Sequence, residues 1–114
     1  MNAKRLHNNI THLGVLSKAK KKQRNALLGA ANGDLILCLC ECILNILNGG
    51  ITLKPDELKK LEKHKFTLRQ LAAKNVPIKE RKGILIQKGG FLPALLMPIL
   101  GMAGQLLVDK IIKR

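Results

Sequence analysis

The segment spanning residues 34–48 is apolar on almost every side, and it constrains the fold more than any other part of the chain. Along it, Glu41, Asn45 and Asn48 form the one polar stripe. A helix that is apolar nearly all round is a buried helix, so we expect the other helices to pack around this one. Asp34 is suited to cap its N-terminus, and the pair Gly49-Gly50 is suited to end it.

Apolar residues at helical spacing predict further helices on both sides of this segment. We expect a first helix over about residues 4–16, a helical stretch that stops at Asn32-Gly33, and one long or two short helices from Pro55 to about residue 74. Another helix is expected over 78–88. The last is expected from Ala94 to about Lys113, with a kink at Pro98.

The sequence therefore predicts an all-α fold. We expect a compact bundle of about five to six short helices around a buried central helix at about 34–48, plus a hydrophobic C-terminal helix. We divide the chain into a basic helical domain, residues 1–88, and a second unit, residues 89–114. The second unit comprises a Gly89-Gly90 hinge and the hydrophobic C-terminal helix.

A net charge of +14, from 21 Lys and Arg against 7 Asp and Glu, calls for a polyanionic partner, either nucleic acid or an anionic membrane. Phe66 and Phe91 are the only aromatic residues, which disfavours stacking of single-stranded bases and leaves contact with duplex phosphates open. A wider basic set between Lys59 and Lys88 is offset only by Glu62 and Glu80. The residues that we predict to contact phosphate are Lys18, Lys20, Lys21, Lys22 and Arg24, all expected to be solvated, followed by Lys79, Arg81, Lys82 and Lys88.

The stretch from Phe91 to Val108 contains no charged residue and needs a dry environment. It is at the lower edge of the length of a membrane-spanning helix, and Pro93, Pro98 and Gln105 weaken that interpretation. Three environments stay open: the helical bundle or a subunit interface, the bilayer interior, and the surface of an anionic membrane. The side chains that would contact a membrane or a partner are Phe91, Leu92, Leu95, Leu96, Ile99, Leu100, Leu106 and Leu107.

Motifs that carry chemistry are scarce. Cys38, Cys40 and Cys42 alternate, so only the first and last share a helix face, and no second ligand pair completes a tetrahedral zinc site. We therefore predict buried cysteines, no metal and no cofactor. Because no catalytic triad or phosphate-binding loop is evident, we also predict no enzymatic activity. The odd cysteine number indicates a reducing, intracellular compartment, and the N-terminus predicts no signal peptide.

The run Lys88-Gly-Gly-Phe-Leu-Pro-Ala-Leu-Leu-Met-Pro-Ile-Leu-Gly101 resembles the C-terminal part of adenovirus core protein X, the mu precursor. There too a basic segment leads into Gly-Gly and then into an apolar, proline-containing sequence. The whole chain is similar to small basic proteins of Polinton/Maverick elements and adintoviruses. The resemblance implies a virion core protein that condenses packaged double-stranded DNA, found in the virion and the host nucleus.

Our leading hypothesis is non-enzymatic, sequence-independent binding and condensation of double-stranded DNA. One alternative is a membrane-active or membrane-anchored protein that places residues 91–108 in an anionic membrane. A further alternative is a helical adaptor that docks its apolar tail on a capsid protein or another partner. Whether the chain forms a homo-oligomer is left open.

Overall fold

Residues 2–101, which the computed structural model describes, form helices joined by short turns. The helices are α1 (Ala3–Lys18), α2 (Lys21–Ala30), α3 (Gly33–Leu47), α4 (Pro55–Glu62), α5 (Lys65–Ala72) and α6 (Ile78–Lys88). A 3-10 turn, Gly89–Phe91, follows α6, and a further helix, α7, is described over residues 92–101. No strand occurs in this part of the chain, and the predicted all-α fold is confirmed.

The central helix α3 is covered by its neighbours, as its sequence predicts. It contacts α1, α5 and α6. Its buried side chains are Leu35, Ile36, Cys38, Leu39, Cys40, Cys42 and Ile43. Leu44 and Leu47 are 42% and 38% exposed, so the cover is least complete near the C-terminal end of the helix.

Helices α2 and α6 pack against each other in antiparallel orientation. At one end, a Cβ on Gly89 would lie 3.7 Å from Arg24 Nε. At the other end, Lys82 Nζ donates a hydrogen bond of 3.0 Å to the carbonyl oxygen of Ala31, the residue that follows α2. The beginning of α2 therefore lies beside the end of α6.

The apolar C-terminal segment packs into the same core as the preceding helices. Its side chains that are at most 1% exposed are Phe91, Leu92, Leu95, Leu96 and Ile99. Helix α7 begins at residue 92, before the predicted start at Ala94, because Pro93 falls in the first turn, where a missing N–H costs no helical hydrogen bond. The predicted continuation to about Lys113 lies outside the described residues, and the domain boundary at residue 88 stays a prediction.

The start of α3 differs from the prediction that Asp34 caps it. Asn32 is the N-cap residue, and its Oδ1 accepts a hydrogen bond of 3.0 Å from the Leu35 amide. Asp34 lies in the first turn, where the helix dipole favours an acid. There it accepts hydrogen bonds from Arg5 Nε and Asn9 Nδ2, both at 2.9 Å. Asp34 therefore joins α3 to α1 rather than capping α3.

Two glycines end α3 in a Schellman motif, as the sequence predicts. The Gly50 amide donates to the Asn45 carbonyl oxygen at 2.9 Å, and the Gly49 amide donates to that of Ile46 at 3.1 Å. Gly49 has a φ of 75°, in the left-handed region. A Cβ on Gly50 would lie 2.2 Å from Asn45 Oδ1. The positive φ therefore requires glycine at position 49, whereas a side chain at position 50 would have to displace that of Asn45.

We expect that replacing Asp34 with Asn lowers the melting temperature and that this loss shrinks in acid. Hydrogen bonds from Asn9 and then from Arg5 hold the pKa of Asp34 below its usual value of 3.8. The carboxylate thus stabilises the fold above that value, and the wild-type protein loses this contribution as the pH falls through the lowered pKa. Thermal melts of both proteins across this pH range measure the difference.

Glu62→Gln is the control for this experiment, because Glu62 is exposed and lies outside the network around Asp34. It is expected to leave the melting temperature nearly unchanged. A difference between wild type and Asp34→Asn that is as large in strong acid as at neutral pH would contradict the role given to the carboxylate.

Gly49→Ala is expected to lower the free energy of unfolding by about 1 kcal/mol, because alanine is strained at positive φ. Gly14→Ala is the matched control. Gly14 lies inside α1, and no atom lies within 4 Å of where its Cβ would stand, so alanine should raise the free energy of unfolding by up to about 1 kcal/mol. Urea titrations measure both values, and effects of the same sign would contradict the turn geometry.

Candidate nucleic-acid interface

Four of the predicted phosphate contacts lie around the junction of α1 and α2. Lys18 is the last residue of α1, Lys20 is the N-cap residue of α2, and Lys21 and Lys22 begin that helix. All four are exposed, whereas Ala19 between them is buried. Burial of Ala19 anchors the connection in the core, so these four residues, the junction lysines, extend from a fixed backbone.

Arg24, by contrast, is buried, and the expectation that its side chain is solvated is wrong. It is 9% exposed, and its Nε lacks both solvent contact and a hydrogen-bond partner among the described residues. The cause is tertiary: packing of α2 against α6 places Arg24 beside Gly89.

The antiparallel pairing of α2 and α6 also brings Lys88 to the end of the molecule that carries the junction lysines. Lys88 is exposed and is the last residue of α6. The next residue, Gly89, neighbours Arg24 near the start of α2. Two basic groups that are far apart in the sequence therefore lie at one end of the same helix pair.

A cleft beside Gly90 adds two further lysines to this end. Lys60 and Lys63 line it together with His64 and Phe91, and its volume is about 410 Å³. The His64 and Phe91 rings lie 5.7 Å apart, centroid to centroid, and this contact joins the α4–α5 turn to the segment that leads into α7. The sequence placed Lys60 and Lys63 in the wider basic set between Lys59 and Lys88 but not among the predicted phosphate contacts, because only this packing brings them to the Gly89-Gly90 turn.

The remaining predicted contacts lie toward the opposite end of α6, and two of them make structural hydrogen bonds. Arg81 donates from Nε to the Val76 carbonyl oxygen at 2.8 Å and from Nη2 to that of Ala73 at 2.7 Å, which fixes the α5–α6 loop. Lys82 donates to Ala31 at the end of α2. Lys79 is exposed, but at a helical rise of about 1.5 Å per residue its backbone is about 13 Å from that of Lys88.

Within residues 2–101, Arg5 is the one cation with a carboxylate oxygen within 4 Å of its nitrogens. It pairs with Asp34 at 2.9 Å and with Glu41. The junction lysines, Lys60, Lys63 and Lys88 have no such partner in the described part of the chain. A phosphate group can therefore approach them without displacing a protein carboxylate.

The predicted membrane or partner segment is mostly inside the protein. Phe91, Leu92, Leu95, Leu96 and Ile99 are core residues, Leu100 is half-buried, and Leu106 and Leu107 lie outside the described residues. The helical stretch Ile78–Gly101 has 24 residues and a mean hydropathy of 1.5, so by length and composition it could cross a membrane. Helices of soluble cores meet the same criterion, and to enter a bilayer this stretch would have to leave the core.

Phe66 is 81% exposed on α5, which makes it an accessible aromatic ring. Lys65 precedes it, and Arg69 lies one turn further along the same helix. The other aromatic residue, Phe91, is 1% exposed. Proteins that bind single strands stack successive bases on several aromatic rings, so a surface with one exposed ring suits phosphate contact better than base stacking.

The three cysteines are buried in α3, as predicted. Burial raises the pKa of the Cys40 thiol, and the Cys38 thiol together with burial raises that of Cys42. Both thiols are therefore protonated at neutral pH and are poor nucleophiles. Among the described residues, no three His, Cys, Asp or Glu side chains converge in a way that could hold a metal ion.

Leu95→Ala is expected to lower the free energy of unfolding by about 2–5 kcal/mol, because it leaves a cavity in the core. Met97→Ala is the control in the same helix: Leu95 is 0% exposed and Met97 is 57% exposed, so the second substitution should change stability by at most about 0.5 kcal/mol. Chemical denaturation of both variants measures the contrast. Small effects for both would contradict the packed position of α7.

The exposed cations at this end of the molecule are all lysines, whose ammonium groups act as point charges. We call them the basic end: the junction lysines, Lys60, Lys63 and Lys88, all exposed. In comparisons with known proteins, the chain matches no family model, no curated protein and no solved structure.

Proposed function

We propose that the protein binds double-stranded DNA without sequence preference and condenses it, with no enzymatic step. The observation that supports this most directly is the basic end, where exposed lysines from three separate parts of the sequence lie near the Gly89-Gly90 turn. Within residues 2–101, none of them has a carboxylate partner. Lysine ammonium groups act as point charges. Such groups fix a protein on the phosphate backbone and carry no sequence information.

Condensation follows from the size of the charge excess. The chain carries a net charge of +14 on 114 residues, so each bound molecule neutralises several phosphates and releases their counterions. Neutralised duplexes repel one another less and can pack side by side. A small helical bundle with an aliphatic core is suited in size to lie between such duplexes.

The proposed setting is the interior of a virion or virus-like particle and the host nucleus, as the resemblance to the mu precursor and to Polinton and adintovirus proteins implies. In that setting double-stranded DNA is the principal partner. A capsid protein is a proposed second partner for the part of the apolar segment beyond the described residues.

The salt dependence of DNA affinity gives the first test of this function. Replacing Lys20, Lys21 and Lys22 with Gln should flatten the plot of log affinity against log salt for a short duplex. The slope should become less steep by up to about 2.7, because each phosphate neutralised contributes about 0.9. Fluorescence anisotropy at a series of salt concentrations measures the slope, and duplexes of unrelated sequence should give equal affinities.

A matched control removes the same charge elsewhere: Lys4, Lys74 and Lys79 are exposed and lie away from the basic end. The triple Gln variant at these positions should keep the wild-type slope. Equal flattening by both triple variants would show that position is irrelevant and would contradict the basic end. Duplex binding that is absent even at low salt, together with leakage from anionic vesicles, would replace the proposal with the membrane alternative.

A further inference from the structure

Within residues 2–101, no group satisfies the first amides of helix α2. Its N-cap residue, Lys20, makes no side-chain hydrogen bond to the helix, and its first turn contains no acidic residue. The amides of Lys21, Lys22 and Gln23 therefore point out of the helix end unpaired by a cap, at the positive end of the helix dipole. These residues are all exposed, so the beginning of α2 lies at the surface of the protein.

A second observation at this place is independent of the helix end. Arg24 is about nine-tenths buried, at 9% exposure, and its Nε is enclosed without a hydrogen-bond partner among the described residues. A Cβ on Gly89 would lie 3.7 Å from this Nε. Because long side chains in a helix lean toward its N-terminus, we expect the Arg24 side chain to extend toward the first turn of α2. A buried charge without a counterion is unfavourable, and an anion at this point would remove that cost.

We propose that the first turn of α2 and Arg24 together bind one phosphate group of the DNA backbone. The amides of Lys21, Lys22 and Gln23 donate to its oxygens, and the guanidinium supplies charge-assisted hydrogen bonds. Lys20 and Lys88 add charge at the rim. This assignment rests on the proposed function. Binding of one phosphate at this subsite would position the protein so that the long lysine side chains of the basic end contact the neighbouring phosphates.

Arg24→Met tests the subsite, because methionine fills similar space without charge. For the wild type, inorganic phosphate should raise the melting temperature above that in sodium chloride of equal ionic strength, and the variant should show no such rise. The variant should also bind a short duplex about tenfold more weakly, the loss of one charge-assisted contact. Lys4→Met, an exposed cation away from the basic end, should change duplex affinity less than about twofold.

Two outcomes separate failure of the subsite from failure of the proposed function. If Arg24→Met binds the duplex as tightly as the wild type, with the same salt dependence, the subsite is wrong and DNA binding by the other cations stands. If the wild-type protein itself does not bind the duplex, the proposed function is wrong, whatever phosphate does to the melting temperature.

A measurement on the unaltered protein keeps the test decisive if Arg24→Met fails to fold. Titration of the wild type, followed by ¹H–¹⁵N NMR, should shift the amides of Lys21, Lys22 and Gln23 and the Nε–H of Arg24 first. Separate titrations use inorganic phosphate, a short DNA duplex and phosphatidylglycerol vesicles. Shifts with the duplex and with phosphate support the subsite; shifts confined to vesicles, or absent from these four groups, would overturn it.

Discussion

A helix that is apolar nearly all round is stable in water only if neighbouring helices cover it. The rest of the fold depends on covering α3 in this way. Three helices meet it directly, α1, α5 and α6, and α2 completes the bundle through α6. The cover is aliphatic, since the one buried aromatic side chain among the described residues is Phe91. Packing around α3 fixes the position of each neighbouring helix. It therefore also fixes where the lysines on the surface of those helices lie.

Acidic residues are too few to neutralise the positive charge of the surface. Several of those described make contacts that join or begin helices. Asp34 and Glu41 bind Arg5 and so join α1 to α3. Glu57 accepts a hydrogen bond from the Lys54 amide at the start of α4, next to Asp56 in the first turn. Within residues 2–101, no carboxylate pairs with the lysines of the basic end. Their mutual repulsion costs some stability and favours an anionic partner.

The sequence predicted the helical class, the burial of α3 and the glycine stop after it, because these depend on local periodicity and on backbone conformation. It predicted Asp34 as the cap of α3, which is wrong: Asn32 caps the helix, since both residues suit that position and Asp34 instead contacts Arg5 and Asn9. It also did not predict that Arg24 is buried while Lys21 and Lys22 are not. That difference arises from the packing of α2 on α6, which also brings Lys88 to the end of the molecule that carries the junction lysines. No short-range sequence pattern encodes this packing.

The reactivity of the three buried thiols in α3 reports how often the core of the protein opens. Each is shielded by the helices around α3, so a thiol reagent reaches them only in molecules whose cover has moved away. The rate of modification then reports the population of open molecules rather than the chemistry of an accessible cysteine. An anionic partner that stabilised the closed bundle would slow thiol modification without contacting any cysteine. The modification rate of the core thiols would therefore report binding at the surface.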